Sequence, residues 1–474
     1  MLMEDHIRKF REGGRGRELR SLEKLYNREG FTFAVIYGRR RVGKTSLINE
    51  FIRRDNKKAI QFTATENTNA VNLSNFSKSI FSVFPRPPSL GGLPSWEGAF
   101  DYIVEQAKEE KIILAIDEYP YLVKAYPPLS SEIQRYIDLT LQDIDIMLIL
   151  CGSSMSFMEN QVLGYESPLY GRRTAQYKIR PLDYYDSAEF FEGTSQEDKL
   201  LGYAVTGGIP LYLNIVSEGD TVAAGIEEAF FATDGFLFEE PYNLLKQELR
   251  EPAVYNAIIG TIAGGSTKLN EIADKIKEDK SKVAKYISTL IDLGILEREV
   301  SMFAKNSRTG VYRIKDNMYR FWYRFVWDNI GLVESEHTHI YKEKVEPFIP
   351  DFMGHVFEDV CVQYLTRLNA KGRLPFTFDS IGRWWGGNPV TKKETEIDVV
   401  ASSGNKMIVG ECKWKSKETG VDVYRDLRNK AAMFADKDIY YFIFSKSGFT
   451  KELMDEAKAD GRLTLAGLDD LFTL

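Results

Sequence analysis

The stretch GRRRVGKT, residues 38–45, decides the fold predicted for this chain. It fits the pattern G-x-x-x-x-G-K-[ST], in which glycines let the backbone curl so that its N–H groups face phosphate oxygens. The apolar run TFAVIY precedes it, and SLINEFIRR follows it with apolar residues at helical spacing. Because a helix N-terminus also favours negative charge, this order of strand, loop and helix predicts a phosphate-binding loop.

The residues of this loop are expected to surround a nucleotide and its metal ion. The Lys44 ammonium would reach the β- and γ-phosphates, and the Thr45 hydroxyl would hold Mg²⁺. The Asn-Lys-x-Asp motif that selects guanine is missing from the sequence, so ATP is expected rather than GTP. The predicted nucleotide-binding residues are Gly38, Arg39, Arg40, Arg41, Val42, Gly43, Lys44, Thr45 and Ser46.

A second apolar run, Ile112–Ile116, ends in two carboxylates that complete a candidate hydrolysis site. Asp117 is expected to hold Mg²⁺, usually through water. Glu118 is then placed to polarise the water that attacks the γ-phosphate. Surface carboxylates at the end of a buried strand are common by themselves, so this interpretation depends on the loop that precedes them.

A third apolar run, Ile146–Cys151, is followed by a small polar residue and later by two arginines. Ser153 is a candidate sensor of the γ-phosphate, and a simple turn is the alternative. Arg172 and Arg173 are candidates for stabilising transferred charge, in cis or across a subunit contact. A structural role that holds the fold together is the alternative for both arginines.

The bulk properties of the chain limit the classes of protein to consider. It has 474 residues, a net charge of −7 and no apolar run near the ~18 residues of a membrane span. Three cysteines, far apart and odd in number, favour a reducing, cytoplasmic setting over a disulfide framework or a zinc site. Residues 252–315 carry 11 Lys and Arg against 7 Asp and Glu, a local +4 that fits a confined nucleic-acid contact.

Five motifs in a fixed order resemble the archaeal-type ATPase family, within the signal-transduction ATPases with numerous domains, an AAA+-like division of the P-loop NTPases. They are GRGREL at 14–19, the loop itself, IDEYPYL at 116–122, LILCGSS at 148–154 and GGIPLYL at 207–213. The resemblance implies that the strand before Ser153 lies between the loop strand and the strand that ends in Asp117. It also implies that Pro210 belongs to a helical lid near the nucleotide.

A basic segment in the middle of the chain has the element order of a winged helix-turn-helix. Two amphipathic helices, predicted over Thr267–Ile276 and Ser281–Leu293 with Ser281 as N-cap, precede the strand ILEREV, a loop and VYRI. Residues expected to meet DNA phosphates are Lys280, Lys282, Lys285 and Arg308. A spacer or a protein-contact module is the alternative, and the second helix has no Arg with which to read guanine.

Four charged residues near the C-terminus form the set that metal-assisted phosphodiester cleavage needs. Asp398 lies in an apolar strand, within ETEIDVVAS. Glu411 and Lys413 lie on one face of the next strand, because residues two apart in a strand point the same way. Glu358 lies on an earlier helix. Asp398 and Glu411 would hold Mg²⁺, Lys413 would stabilise developing charge, and Glu358 would support the metal. Solvated edge strands, or a nuclease-like fold without catalysis, are the alternatives.

This segment resembles the PD-(D/E)xK restriction-endonuclease-like fold and the C-terminal domain of unknown function that accompanies this ATPase family. The predicted α/β architecture therefore has four parts: residues 1–180 as a P-loop ATPase core, 181–245 as a helical lid, 246–330 as a winged helix and 331–474 as a nuclease-like domain. The predicted partner is nucleic acid, DNA rather than RNA, with no membrane role and with a homo-oligomer as an option.

These features together predict an ATPase that acts as an ATP-driven switch. It would control a nucleic-acid-directed C-terminal domain, with nuclease activity as the open question. The alternative function is an ATP-gated DNA-binding regulator or interaction scaffold in which the nuclease-like domain is not catalytic.

Overall fold

The computed structural model describes residues 14–85, 92–304, 310–390 and 392–473. It divides into two compact units, which are described separately below. The N-terminal unit extends to Leu182 and includes Ile209–Leu211. The C-terminal unit consists of Asp183–Gly208 and Tyr212–Leu474. The lid, winged helix and C-terminal module predicted as separate domains thus belong to one unit.

A five-stranded parallel sheet forms the centre of the N-terminal unit. Its strands lie in the order β2-β3-β4-β1-β5, and all four neighbouring pairs are parallel. The predicted placement of β4 between the loop strand β1 and the acidic strand β3 is confirmed. The strands are β1 (Thr32–Tyr37), β2 (Ala59–Thr63), β3 (Ile112–Asp117), β4 (Ile146–Gly152) and β5 (Ala175–Lys178).

Helices cover this sheet because its central strands are apolar on both faces. Every residue of β1, β3 and β4 is buried, which is typical of a parallel sheet packed on both sides. The helices are α1 (Gly16–Tyr26), α2 (Lys44–Arg53), α3 (Asn69–Val83), α4 (Trp96–Ala107), α5 (Tyr119–Ala125), α6 (Leu129–Leu139) and α7 (Met155–Phe157). The α/β fold class predicted for this region is confirmed.

The C-terminal unit begins with helices that are followed by a two-stranded sheet. The helices are α8 (Tyr184–Ser187), α9 (Gln196–Thr206), α10 (Pro210–Ser217), α11 (Val222–Phe230), α12 (Glu240–Glu248), α13 (Pro252–Ala263), α14 (Leu269–Ile276) and α15 (Lys280–Asp292). Strands β6 (Leu296–Glu299) and β7 (Val311–Ile314) pair antiparallel after α15. Three helices followed by this strand pair are the element order that the sequence predicts.

The predicted N-cap of α15 is wrong by two residues. Asp279, not Ser281, is the N-cap, because the Asp279 carboxylate accepts hydrogen bonds from the backbone N–H groups of Ser281 and Lys282. A carboxylate at this position satisfies two otherwise unpaired donors of the first turn and favours the helix dipole. The helix therefore begins at Lys280.

The rest of the C-terminal unit is a mixed sheet flanked by helices. Antiparallel pairing joins β8, β9 and β10, and parallel pairing joins β10, β11 and β12. The helices are α16 (Asn317–Phe321), α17 (Ile330–Glu334), α18 (Ile349–Ala370), α19 (Val421–Ala431), α20 (Lys451–Ala459) and α21 (Leu468–Leu471). The strands are β8 (Ser380–Asn388), β9 (Lys393–Ser403), β10 (Lys406–Lys413), β11 (Asp438–Ser445) and β12 (Leu463–Ala466).

Within the described ranges, no helix is both long enough and apolar enough to cross a membrane.

Candidate functional site

The phosphate-binding loop connects β1 to α2 at the carboxyl end of the parallel sheet. Gly38 begins the turn, and a Cβ atom there would lie 2.3 Å from the carbonyl oxygen of Ile179, which no side chain tolerates. Gly43 has a φ of 88° and is the N-cap of α2. Glycine is therefore required at both ends of the loop, at one for space and at the other for the left-handed backbone.

Lys44 and Thr45 point into the loop as the motif predicts. The buried Lys44 ammonium donates hydrogen bonds to the carbonyl oxygens of Gly38, at 2.9 Å, and Arg39, at 3.0 Å. The Thr45 hydroxyl donates to Asp117 Oδ2 at 2.6 Å. Elements that lie 72 residues apart in sequence thus place a hydroxyl and a carboxylate in direct contact.

Glu118 is aimed at β4 by a strained turn at the end of β3. Its backbone is left-handed, with φ 51° and ψ 42°, which is uncommon for a residue with a side chain. The Glu118 N–H donates to Asp117 Oδ1 at 2.9 Å. The Ser153 hydroxyl donates to Glu118 Oε2 at 2.8 Å. Hydrogen bonds therefore connect Thr45 to Asp117, the Glu118 backbone to Asp117, and Ser153 to Glu118, so these four residues form one connected set. The roles that the sequence predicts for them, including the sensor role of Ser153, stay predictions.

The oxygen atoms of this set fit a hard divalent cation. Mg²⁺ prefers hydroxyl, carboxylate and water oxygens, and Thr45 and Asp117 supply the first two side by side. The neighbouring Cys151 does not compete as a thiolate, because burial, and then the Asp117 carboxylate, raise the pKa of its thiol. Thr45 and Asp117 would thus hold Mg²⁺, and the ion would neutralise phosphate charge.

An arginine that the sequence analysis did not single out as a site residue holds the loop from behind. Arg15 is buried, and its Nη2 donates to the carbonyl oxygens of Val42, at 3.0 Å, and Arg180, at 2.5 Å. It connects the loop to the segment after β5. The signal was present, because Arg15 lies in the GRGREL motif, but spacing alone does not show what its side chain contacts.

The other residues predicted near the nucleotide lie in different surroundings. Arg40 donates to the hydroxyl of Tyr121 at 3.1 Å. Arg172 makes a bidentate pair with Asp138, with both distances 2.7 Å, and this pair lowers the pKa of the Asp138 carboxyl. Arg173 is half-buried on the same segment. Pro210 begins α10 and is grouped with the N-terminal unit.

The lysines predicted to meet DNA phosphates on α15 differ in their surroundings. Lys280 and Lys285 are exposed, whereas the Lys282 ammonium lies 3.2 Å from Glu278 on the preceding turn. The acidic N-cap Asp279 lies directly beside them. Arg308 lies outside the described residues.

In the C-terminal unit, β9 and β10 bring two of the predicted carboxylates together. Asp398 Oδ2 accepts a hydrogen bond from the backbone N–H of Cys412 at 2.8 Å. Burial, with the nearby carboxylates of Glu411 and Glu358, raises the pKa of Asp398 to about 7. Glu358 and Asp398 line one cavity of about 300 Å³. These carboxylates therefore form an acidic cluster in which the negative charges repel one another.

Basic side chains occupy this acidic cluster. Lys413 lies 2.6 Å from Glu411 Oε1, and Lys430 on α19 lies 3.1 Å from Glu411 Oε2. Arg383 on β8 lies 3.4 Å from Glu358. Lys430 and Arg383 were missed by the sequence analysis, because each reaches the cluster from a different element. Nothing in the spacing of a single motif indicates them.

The donors present do not form a ready metal site. In the part of the chain that the structure describes, no group of three or more His, Cys, Asp and Glu side chains is arranged to hold a metal ion. The carboxylates of Asp398 and Glu411 have the right chemistry for Mg²⁺, but Glu411 already has two ammonium partners. A cation would have to displace at least one of them.

The fold and the loop define a P-loop ATPase-domain protein. A family model described as an ATPase domain predominantly from Archaea matches residues 14–216, and one described as archaeal and bacterial proteins of unknown function matches residues 322–424. The chain belongs to this archaeal ATPase family, with the ATPase domain followed by the C-terminal domain of unknown function. The resemblance stated from the sequence motifs is confirmed.

The chain is also similar to a relative over its whole length and to solved structures over part of it. The chain is 33% identical over 463 residues to the uncharacterized protein MJECL04 of Methanocaldococcus jannaschii, covering 96% of this chain and 99% of the relative. The Walker-type ATPase PABY2304 of Pyrococcus abyssi shares the fold at 21% identity, with a TM-score of 0.52, over 66% of this chain and 95% of that one. The ORC2 protein of Aeropyrum pernix is similar at 13% identity and a TM-score of 0.45, over 68% and 94%.

Proposed function

We propose that this protein is an ATP-hydrolysing switch that controls a nucleic-acid-directed C-terminal module. The observation that carries the proposal is the connected set of Thr45, Asp117, Glu118 and Ser153 around the phosphate loop. A loop that only stores nucleotide does not need a carboxylate held by a strained backbone and by a hydroxyl from the next strand. Strain of this kind is retained where it positions a functional group.

Each residue of the site has a separate part in hydrolysis. The loop N–H groups and the Lys44 ammonium bind and orient the phosphates. Mg²⁺ supplies charge neutralisation when bound. Glu118 accepts a proton from the attacking water at its free carboxylate oxygen, and the Ser153 hydroxyl fixes the rotamer of that carboxylate. Arg173 is the remaining candidate for stabilising transferred charge, in cis or from a second subunit, because Arg172 already pairs with Asp138.

The test separates binding from hydrolysis. In Glu118→Gln the neutral amide keeps the shape of the side chain but accepts no proton, so we expect kcat to fall by about 10²-fold or more. Affinity for ATP should stay within about threefold, because Glu118 is not a phosphate ligand. Glu109→Gln, an exposed residue on the same unit, is the matched control. Equal phosphate-release rates in all three proteins would show that the site does not hydrolyse ATP through Glu118.

A second activity, metal-dependent phosphodiester cleavage, is favoured by the cluster of Asp398, Glu358 and Glu411. A buried carboxyl such as Asp398, whose pKa is raised by burial and by neighbouring carboxylates, is typical of functional sites. Here Asp398 and Glu411 would hold Mg²⁺, Lys413 would stabilise negative charge, and Lys430 would have to leave Glu411. The exposed Lys280 and Lys285 would bind the nucleic-acid backbone without sequence preference.

Cleavage is tested with the full chain, ATP, Mg²⁺ or Mn²⁺, and plasmid DNA. We expect nicking by the wild type and none by Glu411→Gln, with Glu452→Gln, an exposed residue on α20, behaving as the wild type. If no variant differs from the wild type, the C-terminal module is not a nuclease. DNA binding that weakens as salt rises, without cleavage, then supports the ATP-gated regulator. Salt-independent association would instead support a protein scaffold.

A further inference from the structure

A cavity of about 710 Å³ in the C-terminal unit adjoins the acidic cluster described above, with which it shares Arg383. It is lined by α13, β6, β7, residues 320–328, the start of α18 and β8. That volume is within the range of small-molecule sites, roughly 300–1,000 Å³. All its walls belong to the C-terminal unit, so the cavity is independent of the phosphate loop.

One wall of this cavity is an aromatic surface. The rings of Tyr323 and Trp327 are stacked, with centroids 5.7 Å apart and an interplanar angle of 27°. Trp327 is nevertheless 43% exposed, although its neighbour Trp322 is buried. A partly exposed tryptophan offers a surface on which another planar ring can stack. Any nucleobase can stack in this way, because every base has a π-face.

The cavity is also lined by an excess of positive charge. Four arginines and His355 line it, against the two acidic residues Glu299 and Asp328. Arg383 contributes a buried Nε that has no hydrogen-bond partner within the described residues. Guanidinium groups present paired donors whose geometry matches phosphate oxygens.

Asp359 holds two of these arginines in place, whereas the pair between Arg324 and Asp351 is exposed. Arg313 and Arg320 share Asp359, at 2.9 Å and 3.3 Å, and Arg324 pairs with Asp351 at 2.5 Å. Donors fixed by Asp359 lose little conformational entropy when an anion binds. Arg313 and Arg383 also line the smaller cavity that contains Glu358 and Asp398, so a ligand here would meet the cations that neutralise the acidic cluster.

We propose that this cavity binds a nucleoside phosphate, with the base stacked on Trp327 and Tyr323 and the phosphate held by the arginines that line it. A ligand with a planar ring and an anionic group matches both the aromatic wall and the arginines, whereas a purely apolar ligand would displace water from the guanidinium groups and offer them no acceptor of its own. The same chemistry is present in a free nucleotide and at the 5′ end of a nucleic-acid strand. The site is separate from the ATPase site and does not depend on the proposed switch.

The experiment uses the full chain carrying Lys44→Ala, which silences the phosphate loop. AMP, GMP and the 5′-phosphorylated dinucleotide pTpT are titrated by calorimetry, beside adenosine and inorganic phosphate as the separate halves. We expect one site per chain and at least about 10-fold weaker binding of either half, since each half uses only one wall of the cavity. A mononucleotide that binds identifies a free nucleotide as the source, and binding of pTpT alone identifies a strand end. Both results support the proposal.

Two variants test where the probe binds. Trp327→Ala should weaken binding at least about 5-fold, and Trp327→Phe should restore it because the ring is kept. Arg324→Gln should weaken binding about 10-fold through loss of a charge-assisted hydrogen bond. Arg462→Gln is the matched control, an exposed arginine paired with one aspartate at 2.8 Å. The proposal fails if no probe binds at about 1 mM, or if neither Trp327→Ala nor Arg324→Gln weakens binding.

Discussion

The two carboxylate sites of this molecule differ in what holds their acidic groups. At the phosphate loop, Asp117 and Glu118 are held by hydroxyl and N–H groups, which are neutral. In the C-terminal unit, Glu358 and Glu411 are held by the cationic side chains of Arg383, Lys413 and Lys430. Neutral donors leave the negative charge available to a metal ion, whereas cations cancel it.

This difference separates a site that is ready for Mg²⁺ from one that is blocked by its own protein. A cation that approaches Asp117 meets a carboxylate that accepts hydrogen bonds from a hydroxyl and a backbone N–H group. A cation that approaches Glu411 must first displace an ammonium group. If the proposed ATP-dependent switch controls the C-terminal module, separating Glu411 from Lys430 would be its electrostatic effect.

The largest expected effect is on the free energy of unfolding. It compares the loss of a carboxylate that is held by cations with the loss of one that is held by neutral donors. Asp359→Asn leaves Arg313 and Arg320 without their shared carboxylate, so we expect a loss of about 3 kcal/mol in the free energy of unfolding. Asp117→Asn keeps an oxygen that accepts from Thr45, and should cost less than about 1 kcal/mol. Urea unfolding followed by tryptophan fluorescence reports on the first variant, because five of the six tryptophans lie beyond residue 183. Calorimetry of the N-terminal transition reports on the second.

The pH dependence of the Asp359 effect is fixed in direction. Burial acts to raise the pKa of Asp359, but Arg320 and Arg313 outweigh it and hold the pKa below its usual value. The contribution of Asp359 is therefore complete above the unfolded pKa of about 3.9 and is lost as the pH falls through the lower folded pKa. The gap between wild type and Asp359→Asn should narrow in acid. If Asp359→Asn and Asp117→Asn lower the free energy of unfolding by the same amount, carboxylates held by cations and by neutral donors do not differ in this respect.

The two sites also differ in how much of them could be predicted from the sequence. The phosphate loop is contiguous, and parallel strands bring their carboxyl ends to one edge, so Asp117, Glu118 and Ser153 follow from the order of elements. The C-terminal set of Asp398, Glu411 and Lys413 follows from residues that alternate along two strands. Lys430 and Arg383 do not, because long side chains reach across elements whose packing no local pattern specifies. The same reason explains why Arg15 was missed.

The second-largest effect is expected from removing the support behind the phosphate loop. Arg15→Ala leaves the carbonyl oxygens of Val42 and Arg180 without their buried donor, and should cost about 2 kcal/mol. Because the lost contact reaches the loop, affinity for ATP should fall about 10-fold, as measured by equilibrium dialysis. Arg17→Ala, an exposed residue on the same helix, is the control. Unchanged affinity in Arg15→Ala would mean that the loop does not depend on this contact.

A smaller effect is expected when one of the two cations at Glu411 is removed. Lys430→Met keeps the aliphatic length of the side chain and frees one oxygen of Glu411, so Mn²⁺ should bind the C-terminal unit about 10-fold more tightly, a gain of about 1.4 kcal/mol. Calorimetry on the Lys44→Ala background measures this without the phosphate-loop site. Lys458→Met, which removes an exposed lysine beside Asp455, is the control. If Mn²⁺ affinity does not rise, Lys430 is not what blocks the acidic cluster.

The smallest effect is expected at the phosphate loop, when Ser153 is replaced. This variant tests whether the Ser153 hydroxyl positions the Glu118 carboxylate. The Ser153 hydroxyl contacts Glu118 and is buried, so Ser153→Ala removes one hydrogen bond of about 1 kcal/mol. If that bond fixes the Glu118 carboxylate, kcat should fall about 5-fold while affinity for ATP changes less than twofold, since Ser153 would then act on the transition state alone. Ser154→Ala, one residue away and without a side-chain cap bond, is the control. A fall in affinity equal to the fall in kcat/KM would instead make Ser153 a phosphate contact. That result would assign the sensor role to the serine and leave the strained backbone of Glu118 as the sole element that orients its carboxylate.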